Sequence, residues 1–348
     1  MSRERRDLLN ELGLEESIVF ENPSYDKAII GYDDAEGRVI YDYELMAECL
    51  MEQDGMSYED AVEFIDYNTC RAIPYAGPNA PIVMHGITDY LDCETHKDYN
   101  FDARSELNKC VEWTRQWFDE NGKGCNAVIG MSGGKDSTIT AAILCLALGS
   151  DRVIGVAMPE HGQKINEADE ICKHLGMKYI ECPIGDVCSA AYNAATASVG
   201  DVTVQTSQNI PPRIRMTMLF AIAQSMNGRV ANTCNLSEDY VGYSTIFGDL
   251  AGTFSPIKNF TVQELLAIGD ELGLPKKWVH KTPDDGLPHS MPDEEKFGFS
   301  YKTLDDWIRK GEVPDSETFS KIQKMHLSNL FKDRIVRIPS YDPQFPIH

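Results

Sequence analysis

A glycine-rich turn between a buried strand and a helix constrains the fold of this chain more than any other feature. Residues 125–130 form a short apolar run, which is typical of a buried parallel strand, and the sequence of residues 137–148 predicts a helix. Between them, residues 130–137 read Gly-Met-Ser-Gly-Gly-Lys-Asp-Ser. Such a turn points successive backbone N–H groups at one spot, and the helix N-terminus adds partial positive charge there. The sequence therefore predicts a strand–loop–helix unit with an anion site suited to phosphate.

Residue spacing decides which phosphate loop this is. A Walker A loop needs Gly, four residues and then Gly-Lys-Ser/Thr. Here Gly134-Lys135 is followed by Asp136, and the position five before Gly134 is Ile129. The string Ser-Gly-Gly-Lys-Asp-Ser at 132–137 instead resembles the pyrophosphate loop of the ATP pyrophosphatases, which cut ATP between the α and β phosphates. Its serines offer hydroxyl donors, and its Asp suits Mg²⁺. The alternative, an ordinary glycine-rich βα turn, does not require these six positions.

Length and composition predict a globular, cytoplasmic protein. The 348 residues suffice for one large α/β domain and an accessory region. No apolar run approaches the ~20 residues of a membrane span, and the charged start Met-Ser-Arg-Glu-Arg-Arg-Asp leads into no signal-peptide core. The ten cysteines form no Cys-x-x-Cys pair, which argues for reduced thiols rather than a zinc ribbon or a redox pair. We expect no membrane partner.

The charge distribution divides the chain into two regions. The net charge of −23 argues against a nucleic-acid partner, because proteins that bind nucleic acid usually carry a basic face. Residues 1–104 hold 24 Asp and Glu against 8 Lys and Arg, a net −16, which leaves −7 for residues 105–348. We therefore predict an acidic N-terminal accessory region at 1–104, whose role the sequence does not give, and a phosphate-loop domain at 105–348. Residues 1–100 contain no catalytic constellation, so packing or oligomerisation is the expected role.

Apolar periodicity predicts an α/β fold for the second region. Helices and strands alternate from residue 104 onward, which favours a doubly wound, Rossmann-like parallel sheet with helices on both faces. The expected strands are 125–130, 153–158, 178–182 and 229–232. The expected helices are 104–120, 137–148, 165–175, 186–198, 211–226, 261–272, 303–310 and 315–328, with a loop at 280–300.

The first region is predicted to be a small α+β unit. A hairpin is expected at 27–42, with its turn at 33–37. Two short helices should follow, at 43–53 and 58–67. The Pro- and Gly-rich residues 73–81 then read as a loop.

Further candidate residues follow the other strands, at the edge where ligands of such sheets lie. Met158 ends the second strand, where an adenine would lie on its side chain; a routine strand end is the alternative. Glu238 closes the run Asn-Thr-Cys-Asn-Leu-Ser-Glu after the strand 229–232, where a second metal-binding carboxylate is wanted beside Asp136. The alternative for Glu238 is a carboxylate that favours a helix start.

Taken in order, these motifs resemble those of the NAD synthetases, which amidate deamido-NAD. The segments that carry the resemblance are Asn232-Thr-x-Asn-x-Ser-Glu238, Gly242-Tyr-Ser-Thr-x-Phe-Gly-Asp249, Pro256, Leu272-Gly-Leu-Pro275, Lys281-x-Pro283 with Leu287, and Pro292-Asp-Glu294 ahead of Gly298. The resemblance covers roughly residues 105–340. It implies an ATP pyrophosphatase-type domain that activates the nicotinate carboxylate as an adenylate and releases pyrophosphate. Ammonia then gives the amide and AMP.

The resemblance also implies the site residues. Asp136 and Lys135 are the candidate catalytic residues, and Asp136 and Glu238 are the candidate Mg²⁺ ligands. Arg213 and Lys332 are expected to contact deamido-NAD. Arg215 lies two residues from Arg213 in the predicted helix, so its side chain points to another face. ATP is expected to lie against Gly130, Ser132, Gly133, Gly134, Lys135, Asp136, Ser137, Met158 and Thr233.

Several positions depart from the bacterial ammonia-dependent enzymes, and they concern the acceptor more than ATP cleavage. Lys is replaced by Ile246, an acid by Thr253, the Lys of a Leu-Thr-Lys pattern by Val262, a hydroxyl residue by Asp284, and a His by Phe331. Residues 242–252 look more like the synthetase domain of glutamine-dependent enzymes. Two alternatives stay open: another ATP pyrophosphatase of the tRNA-thiolating or lysidine-forming type, and a nucleotide-binding protein without turnover.

The length of the first region indicates which nitrogen donor to expect. Residues 1–104 are too few for a nitrilase-like glutaminase domain, and they show no evident Glu/Lys/Cys triad. Free ammonia is therefore the expected donor, with a separate glutaminase partner as the alternative source. By resemblance alone, the protein is expected to be a homodimer.

Overall fold

The chain forms two compact units. The computed structural model describes residues 19–20, 23–33, 37–75, 77, 79–84, 99–163, 165–281 and 293–348. One unit lies within Met1–His96 and the other within Lys97–His348. The positions Pro283, Asp284, Leu287 and Pro292, named in the sequence comparison above, lie outside the described residues.

The first unit contains a three-stranded sheet. Strands β1 (Ile29–Tyr32) and β2 (Val39–Asp42) pair antiparallel as the predicted hairpin. The described part of the turn is closed by the Gly37 N–H, which donates to the Asp33 carbonyl. A third strand, β3 (Ile82–Met84), joins β2 in parallel. Strand β3 was not predicted, because three residues after a Pro-rich stretch are too few to show an alternating pattern.

Two helices complete the first unit where the sequence predicted them. Helix α1 (Tyr43–Asp54) begins at Asp42, whose side chain accepts the Leu45 N–H. Helix α2 (Tyr58–Phe64) begins at the cap Ser57 and continues as a π-helix over Ile65–Thr69. The core of this unit includes the buried side chains of Tyr25, Tyr41, Met46, Leu50 and Ile65.

The second unit is built on a four-stranded parallel sheet. Its strands are β4 (Asn126–Gly130), β5 (Val153–Ala157), β6 (Lys178–Glu181) and β7 (Gly228–Ala231). The order is β6-β5-β4-β7, with every neighbouring pair parallel. The chain runs outward from β4 to β6 and then returns to the other side of β4. The strand order therefore reverses at β4, the place where ligands of doubly wound sheets bind.

Helices cover both faces of this sheet. The described helices of the second unit are α3 (Ala103–Asn121), α4 (Lys135–Leu148), α5 (Asn166–Leu175), α6 (Gly185–Val199), α7 (Val204–Ser225), α8 (Leu236–Tyr240), α9 (Val262–Glu271), α10 (Lys276–Val279), α11 (Asp293–Phe297), α12 (Tyr301–Lys310) and α13 (Ser316–Ile335). Ala127 and Ile129 of β4 pack with Phe118 of α3 on one face. Val128, between them, packs with Leu219 of α7 on the other. This alternation confirms the predicted doubly wound α/β sheet.

Two predicted helix boundaries were wrong. Helix α7 begins at the cap Thr203, whose side chain accepts the Thr206 N–H, and it carries Pro211 and Pro212 in its interior. The predicted helix at 211–226 puts these prolines in the first turn, where they are best tolerated. Helix α13 continues to Ile335 rather than ending near 328. Within the described part of the chain, no helix combines the length and apolarity that a bilayer span requires.

Candidate active site

The phosphate loop joins β4 to α4 at the carboxyl edge of the sheet. Gly133 adopts a φ of +80°, in the left-handed region that favours glycine, and a Cβ there would lie 3.3 Å from the Glu167 Cβ. The Ser132 hydroxyl accepts the Gly134 N–H at 3.2 Å and lies 3.2 Å from the Ser137 hydroxyl. Gly134 caps α4 and offers no side-chain acceptor to its first N–H groups. Both hydroxyls and the helix N-terminus therefore converge at one place.

Two carboxylates lie in and next to this loop. Asp136, in the first turn of α4, and Glu238, in α8, are both partly buried. Asn235 caps α8 by accepting the Glu238 N–H through its Oδ1, at 3.0 Å, and its Nδ2 lies 3.4 Å from the Asp136 Oδ1. Burial, and then the negative charge of Asp136, raise the pKa of Glu238 well above its usual range. The structure thus brings the two predicted metal ligands together, with Asn235 between them.

Lys135 turns away from the open edge. Its side chain is only 5% exposed, and its ammonium lies 2.9 Å from the Asp136 Oδ2 and 5.7 Å from the centre of the Tyr301 ring. Burial lowers the pKa of Lys135, but the negative charges of Asp136, Glu238 and Asp293 outweigh this effect and raise the pKa to about 12. Lys135 is therefore a buried cation among acidic groups.

The other predicted ATP residues follow three neighbouring strands. Gly130 ends β4, Met158 follows β5, and Thr233 follows β7. A Cβ at Gly130 would lie 3.5 Å from the Met158 Cε, so the two positions touch. Arg215 of α7 braces the end of β5, because its guanidinium pairs with Glu160 at 2.7 Å. The sheet therefore brings the predicted ATP-binding positions to one edge, although the side chain of Lys135 is buried.

Both predicted acceptor-binding cations hold one stretch of backbone. The Arg213 Nε donates to the Ile246 carbonyl at 3.2 Å. The Lys332 ammonium donates to the carbonyls of Gly242 and Ser244, at 2.6 and 2.9 Å. Burial lowers the pKa of Lys332, against the attraction of Asp249 and Asp239. We call this stretch, residues 242–249, the 242–249 segment.

The 242–249 segment is also tied from within. Both carboxylate oxygens of Asp249 lie 3.1 Å from the Thr245 N–H, and the Thr245 hydroxyl donates to Asn209 of α7. Burial raises the pKa of Asp249. Phe247 adopts a positive φ of 58° and is 62% exposed. A non-glycine residue in this conformation is strained, and such strain persists only where the surroundings enforce it.

Two of the departures from the bacterial enzymes have structural roles. Thr253 extends the pairing of β7, since its N–H donates to the Val230 carbonyl and its hydroxyl accepts the Val230 N–H. Val262 is buried in the core around α8 and α12. Ile246 lies in the 242–249 segment, and Phe331 is half exposed on α13.

Three residues near the carboxylates received no predicted role. Asn235 had a readable signal, because Asn is a preferred helix cap and Leu-Ser-Glu follows it. Asp293 stands in the Pro-Asp-Glu motif at 292–294, which carried the resemblance but no role for this residue, and Tyr301 had no signal. Both act on Lys135 from more than 150 residues away. Such contacts are set by the packing of α11 and α12, not by local pattern.

The second unit also matches the model of a known family. The NAD synthase model matches residues 106–336, about two thirds of the chain and entirely inside the second unit. This chain belongs to the NAD synthase family. The family predicted from the motifs is confirmed, and the first unit lies outside the matched residues.

Curated relatives share this family. An NH(3)-dependent NAD(+) synthetase of Methanocaldococcus jannaschii is 35% identical over 216 residues, which cover 60% of this chain and 83% of that protein. Another, of Carboxydothermus hydrogenoformans, is 33% identical over 248 residues, which cover 69% and 98%.

Solved structures share the fold. An NMN synthetase from Francisella tularensis has a TM-score of 0.61 and 27% identity, covering 71% of this chain and all of that one. An NH3-dependent NAD synthetase from Campylobacter jejuni has a TM-score of 0.54 and 24% identity, covering 67% and 96%; at that identity it supports the fold alone.

Proposed function

We propose that this protein amidates deamido-NAD (nicotinate adenine dinucleotide) with ammonia at the expense of ATP, releasing AMP and pyrophosphate. The observation that carries the proposal is the phosphate loop at 132–137 beside the carboxylates Asp136 and Glu238, in a chain whose curated relatives are named NH(3)-dependent NAD(+) synthetases. The same match favours this reaction over the tRNA-thiolating and lysidine-forming alternatives. The protein is thus a ligase that forms a carbon–nitrogen bond.

ATP is held by the loop and by three strand ends in this proposal. Backbone N–H groups at the start of α4, with the hydroxyls of Ser132 and Ser137, bind the phosphates and leave the α-phosphorus exposed. Gly133 and Gly134 allow close approach of the backbone. The adenine lies on Met158, and Gly130 and Thr233 line the rest of the nucleotide site.

The two carboxylates fit a magnesium ion. Mg²⁺ takes six oxygen ligands, usually one or two carboxylates with the rest from water and phosphate. Asp136 and Glu238 are partly exposed, and the charge of Asp136 is close enough to raise the pKa of Glu238, which suits this donor set. When bound, Mg²⁺ would neutralise negative charge on the phosphates as pyrophosphate leaves. Asp136 and Glu238 hold it, and Asn235 orients both carboxylates.

The acceptor lies on the 242–249 segment in this proposal. Arg213 uses its Nε to hold that segment, and a guanidinium carries further N–H donors that suit the phosphates of a dinucleotide. Lys332 holds the same segment from a different helix, α13. The nicotinate carboxylate then attacks the α-phosphorus of ATP, and ammonia displaces AMP from the adenylate.

Assembly and location form part of the same proposal. We propose a cytoplasmic homodimer that uses free ammonia, or ammonia from a separate glutaminase, with residues 105–348 as the catalytic domain and 1–104 as an accessory region. The nine cysteines of the described residues are free thiols, which suits a reducing compartment.

Release of AMP and pyrophosphate from Mg-ATP and ammonium, with and without deamido-NAD, tests the reaction. We expect release to depend on deamido-NAD and to match NAD formation. AMP release that ignores deamido-NAD would contradict the proposal, and no release at all would favour a nucleotide-binding protein without turnover.

A second acceptor belongs in the same assay. The Francisella tularensis structure, at 27% identity, is named an NMN synthetase, and the 242–249 segment departs from the bacterial NAD synthetases at Ile246. The second candidate function is therefore amidation of the nicotinate mononucleotide. The ratio of kcat/KM for the two acceptors decides between them.

A further inference from the structure

We propose that Lys135 is a positioning residue: a resident counter-ion that holds Asp136 and weakens cation binding by the Asp136–Glu238 pair until the triphosphate brings its own divalent ion. This inference rests on the proposed function only in that the two carboxylates serve Mg-ATP. If so, Lys135 ensures that the divalent ion binds together with the triphosphate rather than before it.

Helix geometry explains why Lys135 does not face the ligand. Lys135 and Asp136 are the first two residues of α4, and successive residues of a helix point about 100° apart. The Asp136 side chain is partly exposed, and the Lys135 side chain, one position earlier, is buried. Its four-carbon side chain is long enough to return the ammonium to the Asp136 Oδ2, at 2.9 Å.

The surroundings of Lys135 anchor it in this position. The Tyr301 ring centre lies 5.7 Å from the ammonium, and the Tyr301 hydroxyl lies 3.4 Å from a carboxylate oxygen of Asp293. Asp293 also lies 3.5 Å from Lys296. These contacts come from α11 and α12. Lys135 therefore has partners whether or not a nucleotide is bound.

Protein ligands alone are too few for a tight divalent site here. Within the described ranges, no group of three or more His, Cys, Asp or Glu side chains could hold a metal ion. Asp136 and Glu238 supply two carboxylates, and the remaining oxygens must come from phosphate and water. The Lys135 ammonium already occupies one Asp136 oxygen and offsets one negative charge. A divalent cation without nucleotide thus meets both a short ligand set and a competing positive charge.

Direct binding of Mn²⁺ alone to the full-length protein, followed by electron paramagnetic resonance without nucleotide, tests the inference. We expect weak binding to the wild type and binding about tenfold tighter or better to Lys135→Met, because the variant loses a positive charge within a few ångströms of the ion. Lys135→Arg keeps the charge and should bind Mn²⁺ as weakly as the wild type. The double variant Lys135→Met/Glu238→Gln should lose the gain, which would locate the ion at this pair.

Unchanged or weaker Mn²⁺ binding by Lys135→Met, or a gain below about threefold, would overturn the inference. If Lys135→Met does not fold, as judged by circular dichroism, Lys135→Gln replaces it with an uncharged polar side chain of similar reach. The assay contains no acceptor, so its outcome is independent of the proposed reaction. Tighter Mn²⁺ binding without NAD formation would retain the role of Lys135 and reject the acceptor.

Discussion

The phosphate loop and the 242–249 segment both lie beyond strand ends of the sheet, but they are held in opposite ways. The loop is closed by local bonds: Ser132 accepts the Gly134 N–H, and Thr138 donates to the Gly134 carbonyl at 2.7 Å. The 242–249 segment depends on distant residues, since Arg213 lies 33 residues before its acceptor and Lys332 lies 90 residues after Gly242. A locally closed loop is readable in sequence, and a segment held from elsewhere is not.

The largest expected effect is on the loop side. Asp136→Asn should lower the rate of AMP release by about 10²–10³-fold, because an amide binds Mg²⁺ poorly while keeping the shape of the side chain. The melting temperature should fall by no more than about 4 °C, since the amide oxygen can still accept from Lys135. Asp119→Asn, on the exposed face of α3, is the matched control and should change neither quantity. Normal turnover by Asp136→Asn would remove this carboxylate from the metal site.

A smaller effect is expected when the 242–249 segment loses its distant anchor. Lys332→Met removes the donor to two carbonyls, so kcat/KM for the acceptor should fall about 10–100-fold while the KM for ATP stays within about twofold. Steady-state kinetics with each substrate varied measures the difference. Lys324→Met, exposed on the same helix, is the control. An equal loss for ATP and acceptor would show that the two regions are not separate.

The pH dependence of stability should reveal another long-range contact. Asp305 of α12 accepts from the Ser237 hydroxyl of α8 and from the Gln263 N–H of α9. Burial raises the pKa of Asp305 from 3.8 to about 7. Because the folded state favours the neutral acid, this group contributes most stability below pH 3.8, and the contribution is lost as the pH rises towards about 7.

Asp305→Asn removes this titration. The free energy of unfolding should be measured with urea at pH 5 and at pH 7.5 for both proteins. Between these two pH values it should change less in the variant than in the wild type, by on the order of 1–3 kcal/mol. Identical pH profiles for the two proteins would mean that Asp305 is ionised in the fold at pH 5.

The smallest effect concerns Thr253, where the bacterial enzymes carry an acid. Thr253→Val removes the acceptor for the Val230 N–H and should cost about 1 kcal/mol in the free energy of unfolding, with little change in activity. Thr253→Ser keeps the hydroxyl and should retain most of that stability. A large loss of acceptor kcat/KM in Thr253→Val would instead place this residue in the acceptor site.

The sequence by itself determined the sheet, the phosphate loop and the family. Apolar strands, the glycine pattern at 130–137 and the spacing of Glu238 act over short distances, and their geometry follows from local backbone preference. The start of α7 escaped the same reasoning, because the cap at Thr203 outweighed the proline signal at 211–212.

Only the tertiary structure decided where the long cationic side chains go. Lys135, Arg213 and Lys332 were each assigned to a ligand from sequence, and their assigned contacts stay predictions. In the fold, Lys135 is buried against Asp136, while Arg213 and Lys332 donate to carbonyls of the 242–249 segment. A flexible side chain reaches partners on any element packed nearby, and that packing places residues next to each other that lie far apart along the chain.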